Sequence, residues 1–145
     1  GCTFHGGETP IAFVGVDGAV FRFNTVYDPG KWFCRILQER PEPRFVACRN
    51  GRVERNLFVF RAATSGVNVG PGTRPETFTF ADNFWFSMDD PTNSQPPLPT
   101  AERGGVHGVD PVLDAPHEGS FRPLAPRAAG YGASAFEPPP AADRR

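Results

Sequence analysis

The densest group of side chains that could do chemistry in this 145-residue sequence is a set of charged residues in its first third. The set consists of Lys31, Arg35, Glu39, Arg44 and Arg49. A cation can neutralise an anionic ligand, and a carboxylate nearby can transfer a proton. Lys31 precedes the run "WFCRILQE", in which strand alternation puts Arg35 on the opposite face from Cys34 and Ile36. These charges are therefore the first candidates for a binding or catalytic surface.

The same charges also have a plain structural interpretation. Exposed charged side chains keep a flat strand soluble and block pairing at its edge. The spacing of Lys31 and Arg35 is not specific to any one activity. Both interpretations stay open from the residues alone.

Other polar residues give weaker signals. His5, His107 and His117 are scattered, and the sequence places no partner beside them. "DDP" at Asp89-Asp90 is either a turn or a pair of calcium ligands. The sequence lacks the GxSxG, HExxH and P-loop patterns. We expect no metal site and no cofactor, with Ca²⁺ as the possibility left open.

Composition narrows the class of protein. The chain has 14 Phe, 16 Gly and 17 Pro, a bias that favours strands and turns over helices. Its net charge is −1, so no basic surplus predicts nucleic acid or an anionic membrane as a partner. No apolar run is long enough for a membrane-spanning helix. The first residue is Gly rather than Met, so we expect a processed chain or a piece of a longer one.

Three segments of the sequence repeat one pattern, centred on Asn24, Asn56 and Asn83. The spacings are 32 and 27 residues. Three residues before each Asn stand Phe21, Val53 and Phe80, and two residues after each stand Val26, Phe58 and Trp85. A further β-prone run precedes each unit, at 11–15, 34–39 and 66–70. Each unit therefore predicts three short strands and a longer loop.

Two architectures fit such a repeat: an antiparallel sandwich and a solenoid of stacked coils. Asp17-Gly18 and Asn50-Gly51 stand at the same place in the repeat, just before the Asn-bearing run, which favours the solenoid. Asn tolerates the left-handed backbone of a sharp corner, and its amide can bond to the Asn of the next coil. We predict that the three Asn residues stack.

The sequence resembles the C-terminal part of a right-handed parallel β-helix repeat protein of the pectate lyase-like superfamily. The resemblance rests on "VFRFNTVY", "VERNLFVF" and "FADNFWF", and on a closing phrase that includes Gly108-Val109-Asp110-Pro111, Gly119-Ser120-Phe121-Arg122-Pro123 and Gly130-Tyr131-Gly132. Arg127 stands where Pro is common, a small departure. The resemblance covers about residues 11–137.

This resemblance implies a protein, extracellular or periplasmic, that acts on or binds an acidic polysaccharide. In a lyase-like site Lys31, Arg35 and Glu39 would be catalytic, and Arg44 and Arg49 would bind substrate. The alternative is a non-catalytic structural or glycan-binding module. Neither interpretation involves nucleic acid or a membrane.

The expected organisation is an all-β fold of about three coils over residues 1–90, a strap and cap over 91–137, and a mobile tail over 138–145. Ile11, Phe13, Ile36 and Val67 are predicted to line the third wall of the core. The N-terminal edge lacks a cap, so we expect missing coils or another chain to cover it. Cys2, Cys34 and Cys48 have no metal-binding spacing. They are small buried hydrophobes, or Cys34 and Cys48 form one disulfide if the chain is exported.

Overall fold

The computed structural model describes residues 1–40 and 42–138, and the regular secondary structure of this part of the chain consists mainly of short β-strands. Its helical segments are single 3-10 turns, and none of these described helical segments has the length and apolar character needed to cross a membrane. They span Pro75–Thr77, Pro91–Asn93, Pro116–Glu118, Pro126–Ala128 and Ala133–Ala135. The prediction of an all-β protein is confirmed.

The strands are short and follow one another closely. In chain order they are β1 (Thr3–His5), β2 (Ala12–Val14), β3 (Val20–Arg22), β4 (Thr25–Tyr27), β5 (Cys34–Leu37), β6 (Arg52–Glu54), β7 (Leu57–Phe60), β8 (Val67–Val69), β9 (Thr79–Ala81), β10 (Phe84–Ser87), β11 (Val106–His107), β12 (Leu113–Ala115) and β13 (Ser120–Pro123).

Three parallel sheets are built from every third strand as far as β10, and β11 then extends the first of them. Sheet 1 has the order β1-β4-β7-β10-β11, sheet 2 the order β2-β5-β8, and sheet 3 the order β3-β6-β9. The chain thus visits each sheet in turn and returns one strand further along, which is consistent with a β-helix-like solenoid. The pairings among β1 to β11 in the described residues are parallel, so the antiparallel sandwich is wrong. Only β12 and β13 pair antiparallel in this part of the chain.

The strand register confirms the predicted columns. Phe21, Val53 and Phe80 pair in sequence across sheet 3. In sheet 1 the corresponding row is Val26, Phe58 and Trp85. Because the side chains of these rows are all buried, equivalent residues of successive coils stack inside one core.

Sheet 2 forms the third wall of that core. Phe13 and Ile36 pair and are buried, while Ile11 and Val67 are partly buried and pack against the same cluster. Phe33 makes edge contacts with the rings of Phe58, Phe60 and Trp85, whose centroids lie 4.7–5.6 Å away. The predicted third wall is therefore confirmed.

The three Asn residues form a continuous buried ladder at the corner between sheets 3 and 1. The backbone N–H and Nδ2 of Asn24 donate to Asn56 Oδ1 at 2.9 and 3.0 Å. The same two groups of Asn56 donate to Asn83 Oδ1, both at 3.0 Å. The Nδ2 groups of Asn56 and Asn83 also donate to the carbonyls of Phe21 and Val53. Each buried amide therefore has partners, and the prediction of stacked Asn residues is confirmed.

The reason given above for Asn at this corner is wrong in one respect. The left-handed residue is the one before each Asn: Phe23, Arg55 and Asp82 have φ of 52°, 55° and 52°. That residue makes the bend, and the Asn after it turns its amide into the stack. The corner therefore selects Asn for its hydrogen bonds rather than for its backbone.

The two turn dipeptides are also offset by one residue rather than equivalent. Since Val20 pairs with Arg52, the register places Gly18 opposite Asn50 and Asp17 opposite Arg49. Gly18 and Asn50 have φ of 80° and 55°. The shared property is a left-handed backbone at one corner, which Gly supplies in one coil and Asn in the next.

After β10 the chain goes round the stack once more, with little regular structure. Leu98 packs against the core, and Thr100 Oγ1 donates to the Phe78 carbonyl at 2.9 Å. Arg103 then forms a bridge with Ala81, and β11 pairs with β10. The segment from Pro91 to β11 therefore covers the C-terminal end of the core.

The following residues fold back over the outer face of sheet 1. Tyr131 packs its ring on Phe84 at 5.4 Å, in a cluster that also contains buried Leu57, Val59 and Ala128. The Ala133 N–H donates to Thr25 Oγ1 at 3.0 Å. This tail therefore reaches from the last coil back to β4.

At the other end, no strand within residues 1–40 and 42–138 pairs with the outer edges of β1, β2 and β3. The expectation that further coils or another chain cover these edges stays a prediction. The mobile tail predicted over 138–145 lies, from residue 139 onward, outside the described residues.

Candidate functional site

The outer face of sheet 2 carries the first of the predicted functional residues. Arg35 lies on β5 between the buried residues Cys34 and Ile36, so its side chain points away from the core. The register aligns Arg35 with Ala12 of β2 and Asn68 of β8. Alternation of the strand, which the sequence predicts, therefore places Arg35 in the middle of an outward-facing row.

Trp32 lies just before β5 and is flanked by two cations. Lys31 Nζ lies 4.2 Å from the centroid of the Trp32 ring, and Arg35 Cζ lies 4.7 Å from it. Both distances fit cation–π interactions. The predicted pair of Lys31 and Arg35 therefore meets on one indole, which the sequence analysis did not single out.

Residues of neighbouring coils hold this group in place. The backbone N–H groups of Lys31 and Trp32 donate to the Glu8 carbonyl at 3.1 Å. Lys31 Nζ lies 3.4 Å from Glu8 Oε1 in an exposed ion pair. Arg35 Nε donates to Asn68 Oδ1 at 3.1 Å, and among the described residues Arg35 has no carboxylate partner. Arg35 is therefore the cation of this group with no carboxylate bound to it.

A shallow groove of about 440 Å³ borders Trp32. It runs between the edge of β8 and the segment after the third coil, and its lining residues are Trp32, Ser65, Gly66, Val67, Asn68, Val69, Pro97, Leu98 and Pro99. Asn68 joins this groove to Arg35 through the hydrogen bond described above. The arrangement presents an aromatic ring, an amide and two cations on one open surface.

Glu39 and Arg44 lie at the opposite end of β5. Glu39 follows the strand, which ends at Leu37, and borders a small depression that Phe45 also lines. Arg44 Cζ lies 4.9 Å from the centroid of the Phe45 ring. The structure therefore shows no contact of Glu39 with Lys31 or Arg35 among the described residues.

Arg49 lies apart from all of these, at the corner before sheet 3. Its Nε donates to Asp17 Oδ2 at 2.8 Å, and Asn50 Nδ2 also donates to the Asp17 carboxylate. The hydrogen bonds from Asn50 and Arg49 lower the pKa of the Asp17 carboxyl. Arg49 is thus occupied in joining two successive coils.

Asp89 and Asp90, the suggested calcium pair, both accept hydrogen bonds from other groups of the protein. Asp89 Oδ1 accepts hydrogen bonds from the Ala62 N–H at 2.7 Å and from Ser87 Oγ at 3.2 Å. Asp90 Oδ1 accepts from Thr92 Oγ1 at 2.7 Å. The Ala62 hydrogen bond lowers the pKa of the Asp89 carboxyl despite its partial desolvation. Within residues 1–40 and 42–138, no group of three His, Cys, Asp or Glu residues is placed to hold a metal ion.

The cysteines are all unbonded in the structure. Cys34 and Cys48 are buried, as expected, but Cys2 is exposed, so the expectation of a buried residue is wrong for Cys2. Burial raises the pKa of the Cys34 thiol to about 12, so this thiol stays protonated at neutral pH. Cys34 and Cys48 therefore act as small core residues.

Glu102 is a residue that the sequence analysis missed. Its side chain is 6% exposed and lies at the end of the Asn ladder. Its Oε1 accepts from the backbone N–H and Nδ2 of Asn83, and its Oε2 accepts from Trp85 Nε1 at 2.7 Å. His107 Nε2 lies 3.4 Å from the same carboxylate. No periodic signal marks Glu102, because it lies in the irregular segment before β11.

The fold and this surface together define an all-β protein of stacked parallel sheets with a cationic, aromatic patch on one outer face. A scan of protein-family models, a search of curated proteins and a search of solved structures found no match to this chain. The pectate lyase-like resemblance therefore stays an expectation from the sequence.

Proposed function

We propose that this chain is a segment of a right-handed parallel β-helix that binds an acidic polysaccharide outside the cytoplasm. The site is the outer face of sheet 2, centred on Lys31, Trp32 and Arg35. The observation that carries the proposal is the position of two cations over one indole beside an open groove. The right-handed sense is supported by the strong preference of parallel strand crossovers for that hand.

Charge and shape both favour an acidic sugar polymer as the ligand. Arg35 offers free guanidinium donors in a planar fork that suits a carboxylate. Trp32 lines the groove and offers an aromatic side chain against which a sugar can pack, and Asn68 offers an amide that can both donate and accept. A shallow, open groove fits a chain that extends beyond the site at both ends.

The geometry supports binding more than cleavage. A lyase-type reaction requires a base and an acid close to the cation that neutralises the sugar carboxylate. Glu39, the predicted carboxylate, lies beyond the end of β5 and borders the depression beside Phe45 rather than the cations. Glu8, which does lie beside Lys31, is held in an ion pair. We therefore propose a glycan-binding module, with lyase activity as an outcome to be tested.

The test is a comparison of uronate polymer with a neutral glucan by isothermal titration calorimetry. We expect binding to the uronate polymer that weakens with salt, and no binding to the neutral one. Lys31→Ala and Arg35→Ala should each weaken binding by about two- to fivefold. Arg122→Ala is the control matched to Lys31→Ala, because Arg122 and Lys31 are both exposed and each is paired with a carboxylate, but Arg122 lies on β13.

An ultraviolet assay on the same mixture detects the unsaturated ends that a lyase would produce. The proposal predicts no increase in absorbance. Equal binding of both polymers, or equal effects of Arg122→Ala and Arg35→Ala, would overturn the proposed site.

A further inference from the structure

We propose that the polysaccharide lies along β5 and is held at two points, Trp32 at one end of the strand and Phe45 at the other. This inference rests on the proposed function, and it adds the direction of the bound chain and the length that it must have. It also gives a role to the region around Glu39 and Arg44, which takes no part in the contact at Trp32.

Phe45 has the properties of a second contact point. Its side chain is 42% exposed, which is unusual for Phe in a protein that buries most of its aromatic rings. The Arg44 guanidinium lies over one side of the ring at 4.9 Å. The arrangement repeats, with one cation instead of two, the combination of aromatic ring and cation found at Trp32.

Hydrogen bonds of the Gln38 side chain hold the two ends of the loop that carries Phe45. Gln38 Oε1 accepts from the Cys48 N–H at 2.9 Å, and Gln38 Nε2 donates to the Arg40 carbonyl at 2.8 Å. One side chain therefore ties both ends of the loop to the end of β5. The Phe45 N–H also donates to the Glu42 carbonyl at 3.0 Å. Phe45 is thus exposed while its backbone is held, as a preformed binding surface requires.

Two small depressions flank Phe45. One, of about 150 Å³, reaches Val14 and Gly15 at the end of β2, and the other, of about 120 Å³, reaches Gly72 after β8. Both are lined by Gln38, Arg40 and Phe45. Phe45 therefore stands at the ends of the sheet 2 strands, on the side opposite to Trp32.

Three residues lie on the outer face of sheet 2 between the two rings. The row next to Arg35 and Asn68 consists of Val14, Leu37 and Gly70. Gly70 has no side chain, and a Cβ there would lie 3.1 Å from Leu37 Cδ2. The half-buried side chains of Val14 and Leu37 give this row an apolar surface, over which a ligand that runs from Trp32 to Phe45 would pass. From Trp32 to the end of the strand at Leu37 is about 17 Å at the rise of a β-strand, so only an extended ligand reaches both rings.

Binding at the two contact points, Trp32 and Phe45, should differ in its dependence on salt concentration. Lys31 and Arg35 face one neighbouring carboxylate, Glu8. Around Phe45, Arg40 pairs with Glu42 at 3.8 Å, and Arg44 and Glu39 add one charge of each sign, so the local charges cancel. The Phe45 contact is therefore a stacking contact, while the Trp32 contact is both stacking and electrostatic.

The experiment is a titration of wild type, Phe45→Ala and Trp32→Ala with a length series of uronate oligomers, from disaccharide to dodecasaccharide. For wild type, the affinity should rise with length until the oligomer spans both rings and then level off. Phe45→Ala should weaken binding of long oligomers by about two- to fivefold at every salt concentration and leave short ones unchanged. Trp32→Ala should weaken the binding of long and short oligomers alike.

Leu124→Ala is the control, because Leu124 is 46% exposed but lies in the tail after β13. It should leave the length dependence unchanged. If Phe45→Ala has the same length dependence as wild type, the two-point model is wrong while the proposed function stands. If wild type binds no uronate oligomer of any length, the proposed function itself fails.

Discussion

Glu102 Oε1 accepts hydrogen bonds from both nitrogen atoms of Asn83, at 3.0 Å from the backbone N–H and 2.8 Å from Nδ2. It thus makes the contacts that an Asn of a further coil would make. Each Asn amide in the ladder accepts from the coil before it and donates to the one after it. A carboxylate only accepts, so it ends the ladder without leaving a donor unpaired.

Replacement of Glu102 should therefore destabilise the last coil. Glu102→Ala leaves the Asn83 amide and Trp85 Nε1 without acceptors, and we expect a loss of about 2–4 kcal/mol in the free energy of unfolding. Glu102→Gln keeps one acceptor but places an amide nitrogen toward an N–H donor, so about 1–2 kcal/mol should be lost. Urea denaturation measures both values. A Glu102→Ala protein as stable as wild type would show that the carboxylate does not support the ladder.

The middle of the ladder should be more sensitive than any exposed Asn. Asn56 is completely buried and bonds to Asn24, Asn83 and Phe21. Asn56→Ala leaves several buried polar groups unpaired, and we expect a loss of about 2–4 kcal/mol. Asn93→Ala is the control at an exposed position and should change stability by less than about 0.5 kcal/mol. Similar effects of the two substitutions would argue against a structural role of the ladder.

Two glycines provide a matched test of core packing. A Cβ at Gly51 would collide with the ring of Phe78, which packs edge-on against Phe13. Gly51→Ala should cost about 1–3 kcal/mol. A Cβ at Gly130 meets nothing within 4 Å, so Gly130→Ala should be neutral or stabilising by about 0.4–1 kcal/mol. Thermal unfolding of both variants checks the prediction, which fails if Gly51→Ala is the more stable.

Asp89 should contribute to stability in a pH-dependent way. The hydrogen bond from the Ala62 N–H lowers the pKa of the Asp89 carboxyl in the folded state below its usual value. A lowered pKa means that the contribution is fully present above the unfolded-state pKa and is lost as pH falls through the folded-state value. Wild type should therefore lose part of its stability below about pH 4, and Asp89→Asn should lose less over that range. Urea denaturation at a series of pH values measures the difference, and parallel pH profiles for the two proteins would contradict it.

Much of the fold could be predicted from the sequence because a stacked coil repeats its constraints. Asn24, Asn56 and Asn83 recur with apolar residues at fixed offsets, and that pattern gave the register of sheets 1 and 3. The bend itself was assigned to the wrong residue, because Phe23, Arg55 and Asp82 share no side-chain property that marks a left-handed backbone. Glu102 acts alone at the end of the ladder, so no repetition reveals it.

The candidate site could be predicted only in part. Alternation along β5 put Arg35 on the outer face, as observed. The partners of Lys31 and Arg35 come from other coils, Glu8 from one and Asn68 from the next, and their positions depend on the register and the loop path. Nothing in the sequence distinguishes Trp32 from its apolar neighbours, although its half-buried ring carries both cations.

The most direct test of the account uses the indole N–H signals of Trp32 and Trp85 in a proton–nitrogen NMR spectrum during titration with uronate polymer. Trp32 lies under two cations on the outer face of sheet 2, and Trp85 is buried with its Nε1 bonded to Glu102. The account predicts that the Trp32 signal shifts or broadens progressively while the Trp85 signal keeps its position. An unchanged Trp32 signal at saturating polymer, or equal shifts of both signals, would contradict it.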